Sequence, residues 1–178
     1  MNTEALREQF RPRRVKLLFV AESPPASGKF FYDKGPMTRF TAKAFEAAHG
    51  LTFDPTDQKE FLTYFKSCGC FLDDICHSPI DGLPVEDRTR RLAESVAGFA
   101  RRIAEFKPKA IVAVLKKIET HARIAAAQAG LHVPIHVVPF PGRGHQTKYI
   151  ECIERIVRRY VPPRKQQLDA SPRYPSLA

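Results

Sequence analysis

Apolar residues in this chain occur in two patterns: short runs, and longer stretches in which they recur every three or four positions. Four runs read as strands: Val15–Ala21, Cys70–Cys76, Ala110–Leu115 and Ile135–Pro139. The first and third look buried on both faces. The second is interrupted by Asp73 and Asp74 and closed by His77-Ser78-Pro79. Between the runs the spacing turns helical. Phe40, Ala44, Phe45 and Ala48 make one stripe over Met37–His49, with Gly50 placed to end the helix. Asp57–Lys66 reads as a second, short helix. Leu92, Val96, Phe99, Ile103 and Phe106 give a helical rhythm over Val85–Phe106, the longest element. On that helix Arg88, Arg90, Arg91, Arg101 and Arg102 fall on other faces, and most of them are expected to form a solvated surface. Ile118–Ala129, stopped by Gly130, and Lys148–Tyr160 complete the series.

Strands alternating with helices predict an α/β fold: a three-layer α/β/α sandwich around a central four-stranded, mostly parallel sheet. Residues 15–160 hold these elements as a single domain, and 178 residues are too few for two ordinary domains. Residues 1–14 are set apart as a basic N-terminal segment, in which LREQFRPRR has the look of a short helix broken at Pro12. Residues 161–178 have the composition of a disordered tail.

In open α/β sheets, ligands bind beyond the carboxyl ends of the strands. Two strand ends carry chemistry. The fourth run stops at Pro139-Phe140-Pro141-Gly142, and the loop then presents Arg143, His145 and Gln146. The first runs into Glu22, Ser23 and paired prolines, which fix φ and so hold the carboxylate and hydroxyl in place. Two readings of Glu22 stand: it orients or activates a water, or recognises a ligand N–H; alternatively it caps a helix or pairs with an arginine. An imidazole titrates at about 6.5 when unperturbed, so His145 can serve as a general acid or a cationic stabiliser, and Arg143 can hold a phosphate. Phe30, Phe31 and Tyr32 form an aromatic cluster in the loop after the first strand. It is either a stacking surface for bases or a small satellite core. Strand alternation sends Asp73 and Asp74 to opposite faces, so at most one points into the site.

The charge adds a partner. With 29 basic against 19 acidic residues the chain carries +10, which favours a polyanion such as nucleic acid over an acidic membrane surface. No run of about 18 apolar residues is present, and MNTEALREQFRPRR lacks the apolar core of a signal peptide. The expected location is cytoplasmic, with Cys68, Cys70, Cys76 and Cys152 as thiols. Their spacing does not match the common zinc patterns, and neither a metal nor another cofactor is expected. The absence of P-loop, GxGxxG, GxSxG and HExxH patterns argues against nucleotide triphosphatases, dinucleotide enzymes, α/β-hydrolases and zincins.

In these motifs the chain resembles the uracil-DNA glycosylase superfamily. AESPP, Ala21 to Pro25, is similar to that family's first motif, which reads GQDPY, GINPG or GEAPG in different branches. PFPGRGHQ, Pro139 to Gln146, occupies the place of the second, HPS or NPS followed by an intercalating residue. FLDDICHSPI is similar to the segment that carries the base-reading asparagine, and KPKAIVAVLKK to a later strand. The resemblance covers residues 14–160. It implies a four-stranded parallel sheet, DNA as partner, and hydrolysis of the N-glycosidic bond of a flipped uracil or other deaminated base. It implies catalytic roles for Glu22, Ser23 and His145. It further implies a base pocket of Ala21, Pro24, Asp73 and either Phe30 or Phe31, and DNA contacts from Arg143, Gly144, Gln146 and Lys148. Two positions depart from the pattern. Asp73 replaces the asparagine, and an ionised carboxylate cannot donate a hydrogen bond. Phe140 stands where the second motif has histidine or asparagine.

Three functional readings stand side by side. The first is a base-excision glycosylase. The second is a non-catalytic protein of the same fold that binds nucleic acid or abasic sites, supported by Ser23 in place of an acid and by the missing second-motif histidine. The third is an enzyme acting on free nucleosides or other N-glycosides. The expected partner is single- or double-stranded DNA and the expected state a monomer, nucleoid-associated if the source is bacterial.

Overall fold

Leu17–Ala21 and Ala110–Val114 form the two central strands, and their almost wholly buried side chains account for the unbroken apolar runs. The computed structural model describes residues 3–33 and 35–163. In it β1 (Leu17–Ala21), β2 (Cys70–Asp74), β3 (Ala110–Val114) and β4 (Ile135–Val138) make one sheet in the order β2-β1-β3-β4. Every pairing is parallel, so the expected four-stranded sheet is present and is wholly rather than mostly parallel.

The helices are α1 (Thr3–Gln9), α2 (Pro36–His49), α3 (Gln58–Ser67), α4 (Val85–Phe106), α5 (Glu119–Gln128) and α6 (Gln146–Tyr160). Their ends follow local rules. Pro36 opens α2, and Gly50, at φ 66°, closes it with its N–H on the Glu46 carbonyl. The Asp57 carboxylate caps α3 by accepting from the N–H groups of Lys59 and Glu60. α2 packs on α6, with the Thr41 and Tyr149 hydroxyls 2.8 Å apart between them, and α4 packs on α5. Right-handed crossovers put these two pairs on opposite faces, which makes the three-layer sandwich.

Several boundaries move. β1 begins at Leu17 instead of Val15, because pairing with both neighbours starts there. β2 ends at Asp74, although Ile75 and Cys76 still donate to the Ala21 and Glu22 carbonyls at 3.0 and 2.9 Å. Ile118 belongs to a short 3-10 turn, Lys116–Ile118, ahead of α5. The larger difference is at the N-terminus. The segment set apart from the domain packs into it: Arg7 and Phe10 are buried, and the Phe10 ring stacks on Tyr32 with centroids 5.6 Å apart. Residues 164–178 of the expected tail lie outside the described residues. Val161, just before them, is buried, and its carbonyl accepts from His49 Nε2 at 2.8 Å.

β2 is an edge strand, and an open edge exposes unpaired backbone groups. Here the Tyr32 hydroxyl closes it by accepting the Leu72 N–H at 2.7 Å and donating to the Leu72 carbonyl at 3.0 Å. From β1 the chain crosses to β2 on one side, while from β3 it crosses to β4 on the other. The direction reverses between β1 and β3, which places the ligand crevice of such a sheet beyond the ends of those two strands.

Candidate functional site

Glu22 follows the last residue of β1. Beyond the end of β3, Leu115 takes φ 126° and ψ 130°, a backbone region that bulky L residues rarely adopt. Its N–H donates to the Val138 carbonyl at 3.0 Å, and the turn that follows is anchored by buried Ile118. This strained corner aims Lys117 back across the gap, and its Nζ reaches Glu22 Oε2 at 2.7 Å. Arg88, in the first turns of α4, donates from Nε to Glu22 Oε1 at 2.9 Å and from its terminal nitrogen to Oε2. One carboxylate thus holds two cations at the switch point. Its side chain is only 8% exposed. Burial pushes the Glu22 carboxyl up, but hydrogen bonds from Arg88 and Lys117 outweigh it and hold the group below its ordinary value. A group so held is a weak proton acceptor at neutral pH. Ser23 is half-buried beside it and accepts the Ile80 N–H at 3.4 Å.

The loop after β4 lies at the same end of the sheet, next to the end of β3. Arg143 (φ 50°) and Gly144 (φ 85°) take left-handed conformations. His145 occupies the N-cap position of α6, donates its N–H to the Gly142 carbonyl at 3.0 Å and accepts from the Tyr149 N–H at 2.9 Å. The side chains of Arg143, His145 and Lys148 are exposed, and among the described residues they have no partner. Phe140 is 41% exposed and lies over Gly142, where a Cβ would sit 3.2 Å from its ring.

At the end of β2 both aspartates are buried and engaged. Asp73 accepts from Arg102 Nε at 2.7 Å and from its neighbour's N–H, and pairs with His77 Nε2 at 2.8 Å. Burial pushes its carboxyl up, yet His77 and Arg102 hold it below its ordinary value. Asp74 accepts from Arg7, which reaches in from α1, at 2.7 Å. Burial raises Asp74 to about 6 despite that arginine. Arg7 also lies 3.6 Å from Asp73, so a buried network joins α1, β2 and α4.

The residues expected to form one site are therefore divided. Glu22 and Ser23, with Ala21 and buried Pro24, and Arg143, Gly144, His145, Gln146 and Lys148 all lie at the carboxyl end of the sheet. Phe30 and Phe31 are each only 4% exposed, pack against Tyr32 and, through Phe31 on Phe65, belong to the main hydrophobic core, so they are neither a stacking surface for bases nor a separate satellite core. Gly35 permits this loop, since a Cβ there would fall 2.4 Å from the Phe30 carbonyl oxygen. Asp73 accepts from Arg102 and its neighbour's N–H, pairs with His77, and is almost wholly buried. Of the five α4 arginines Arg90, Arg91 and Arg101 are exposed, as expected of most of them, while Arg88 and Arg102 reach Glu22 and Asp73. Lys117 is not among the residues expected at the site, although it follows a strand run just as Glu22 does and the same positional rule finds it.

A groove of about 1040 Å³ lies elsewhere, between α1, α2 and α3, and contains none of the candidate residues at the carboxyl end of the sheet. Among the described residues no group of His, Cys, Asp and Glu could hold a metal ion, and no helix is long and apolar enough to cross a membrane. No protein-family model matches the chain, and no curated protein is similar to it at a significant level.

Proposed function

We propose that this protein binds DNA at the carboxyl end of its sheet and excises a base there by hydrolysing the N-glycosidic bond. One observation carries the reading: cations outnumber anions around the switch point. Glu22 holds both Arg88 and Lys117, while Arg143 and His145 stand exposed on the adjoining loop and Lys148 on the first turn of α6. Such a surface attracts a phosphate backbone and stabilises a base that departs as an anion. In the reaction the bond between C1′ and the base nitrogen breaks, with its electron pair going to the base. A water oxygen adds to C1′ and the water's proton ends on the base. His145 stabilises the departing base through a hydrogen bond from its ring N–H and keeps that proton. Ser23, whose oxygen accepts from Ile80, has its O–H proton left to orient the water. Glu22, held ionised, supplies negative charge toward the sugar as positive charge develops on it.

A second reading has its own support. Glu22 is paired with two cations and Asp73 with Arg102, His77 and its neighbour's N–H, so neither carboxylate is poised to take a proton from water. That arrangement suits a non-catalytic protein that binds nucleic acid or abasic sites. Oligonucleotides carrying one uracil, hypoxanthine, xanthine or abasic site, in single- and double-stranded form, separate the two. Release of a base by the wild type, lost in His145→Ala, supports excision. Binding without release on every substrate selects the second reading, and failure of both binding and release removes both.

A further inference from the structure

The site holds one cation more than its carboxylate needs. Arg88 grips Glu22 through two nitrogens, one on each oxygen, and by itself neutralises the charge. Lys117 adds a second cation to Oε2, the oxygen Arg88 already shares. The two cations differ in freedom. Lys117 is 46% exposed and Arg88 31%. A lysine ammonium sits on a flexible stem with three rotatable donors, whereas the arginine fork is fixed by its geometry. The backbone beneath Lys117 is pinned between buried Val114 and Ile118, so its head can swing while its base stays at the gap between β1 and β3. Glu119, the nearest acid along the chain, is taken by Arg123 at 2.8 Å and does not compete for Lys117.

We infer that Lys117 is the residue at this site that takes up a phosphate of the ligand, and that Glu22 is the anion that holds it beforehand. An incoming phosphate oxygen replaces Oε2 as the partner of Lys117. Arg88 stays on Glu22, so no buried carboxylate is left bare. The exchange swaps one anion for another on the ammonium. It also leaves Glu22 with one counter-ion instead of two. The inference rests on the DNA-binding reading and assigns Lys117 a contact within it.

The test compares wild type, Glu22→Gln, Lys117→Ala and the double variant. A labelled single-stranded oligonucleotide is titrated by fluorescence anisotropy over a range of salt. Lys117→Ala should weaken binding and flatten the slope of log affinity against log salt by about 0.7, the value for one phosphate contact on a single strand. Glu22→Gln should tighten binding by about two- to fivefold, the worth of an ion pair open to solvent at its lysine end, and the gain should vanish in the double variant. Weaker binding by Glu22→Gln, or a gain that survives without Lys117, overturns the inference. A second arm titrates inorganic pyrophosphate while NMR follows the lysine ε-methylene signals. Movement of the Lys117 signal without any DNA binding keeps the lysine assignment and removes the DNA reading. DNA binding that is indifferent to Lys117→Ala, with a Lys117 signal that stays still, removes the lysine assignment alone.

Discussion

Lys117 Nζ lies 2.7 Å from Glu22 Oε2, although the two residues leave different strands and the whole of β2 and α4 separates them along the chain. The contact exists because β1 and β3 are neighbours in the sheet and end at the same level, where the crossover direction reverses. Arg88 completes the arrangement from α4. Each of the three elements supplies one charge to the one place where a sheet of this topology opens to a ligand.

Arg88→Ala leaves a buried carboxylate with Lys117 alone. Removing one partner of a buried pair is costly, and the partial exposure of Arg88 reduces that cost, so a loss of about 1–3 kcal/mol is expected at neutral pH. Urea unfolding measures it, and an unchanged midpoint would show that the pair contributes no stability.

Arg7 is buried against Asp73 and Asp74. Arg7→Met should destabilise by about 3–5 kcal/mol, because two buried aspartates lose their shared cation. Deletion of residues 1–9 should do the same. If deletion leaves the thermal midpoint in place, α1 is not part of the folded unit.

Asp74 gives a pH dependence of definite sign. Its folded value is raised by burial to about 6 from 3.8. The folded state therefore binds more protons than the unfolded chain between those values. The contribution of Asp74 to stability is fully present below pH ~3.8 and is lost as the pH rises through about 6. Glu22, whose folded value is lowered, acts in the opposite sense and loses its contribution as the pH falls. Unfolding followed from pH 4 to 7 should show the advantage of wild type over Asp74→Asn shrinking as pH rises. A growing advantage would reverse the assignment.

Tyr32→Phe removes one hydroxyl and two hydrogen bonds, and leaves the N–H and carbonyl of Leu72 unpaired on the β2 edge. The expected cost is about 1–3 kcal/mol by denaturant titration. Faster amide exchange at Leu72 should accompany it.

The parts of this fold that could be read from the sequence are those set by local pattern. The runs at β1 and β3 and the rhythm of α4 follow from burial on two faces or one, and Gly50 and Asp57 mark helix ends by local geometry alone. The partners of charged groups were not readable, because they come from distant residues. The pair of acids that interrupts the β2 run takes its counter-charges from Arg7, 67 positions from Asp74, and from Arg102. For Glu22 both a reactive and a paired role fitted the sequence; the identity of Arg88 as its partner depends on how α4 crosses the sheet. Phe30 and Phe31 could face a ligand or a core with the same residues, and the close approach at Gly35 decides for the core.

The measurement that bears most directly on the central claim is hydrogen–deuterium exchange of the whole chain with and without a single-stranded oligonucleotide. The account predicts protection of residues 22–25, 115–118 and 139–148, which together form the carboxyl end of the sheet. Protection confined to the groove between α1, α2 and α3, or no protection anywhere under conditions of saturating oligonucleotide, would contradict it.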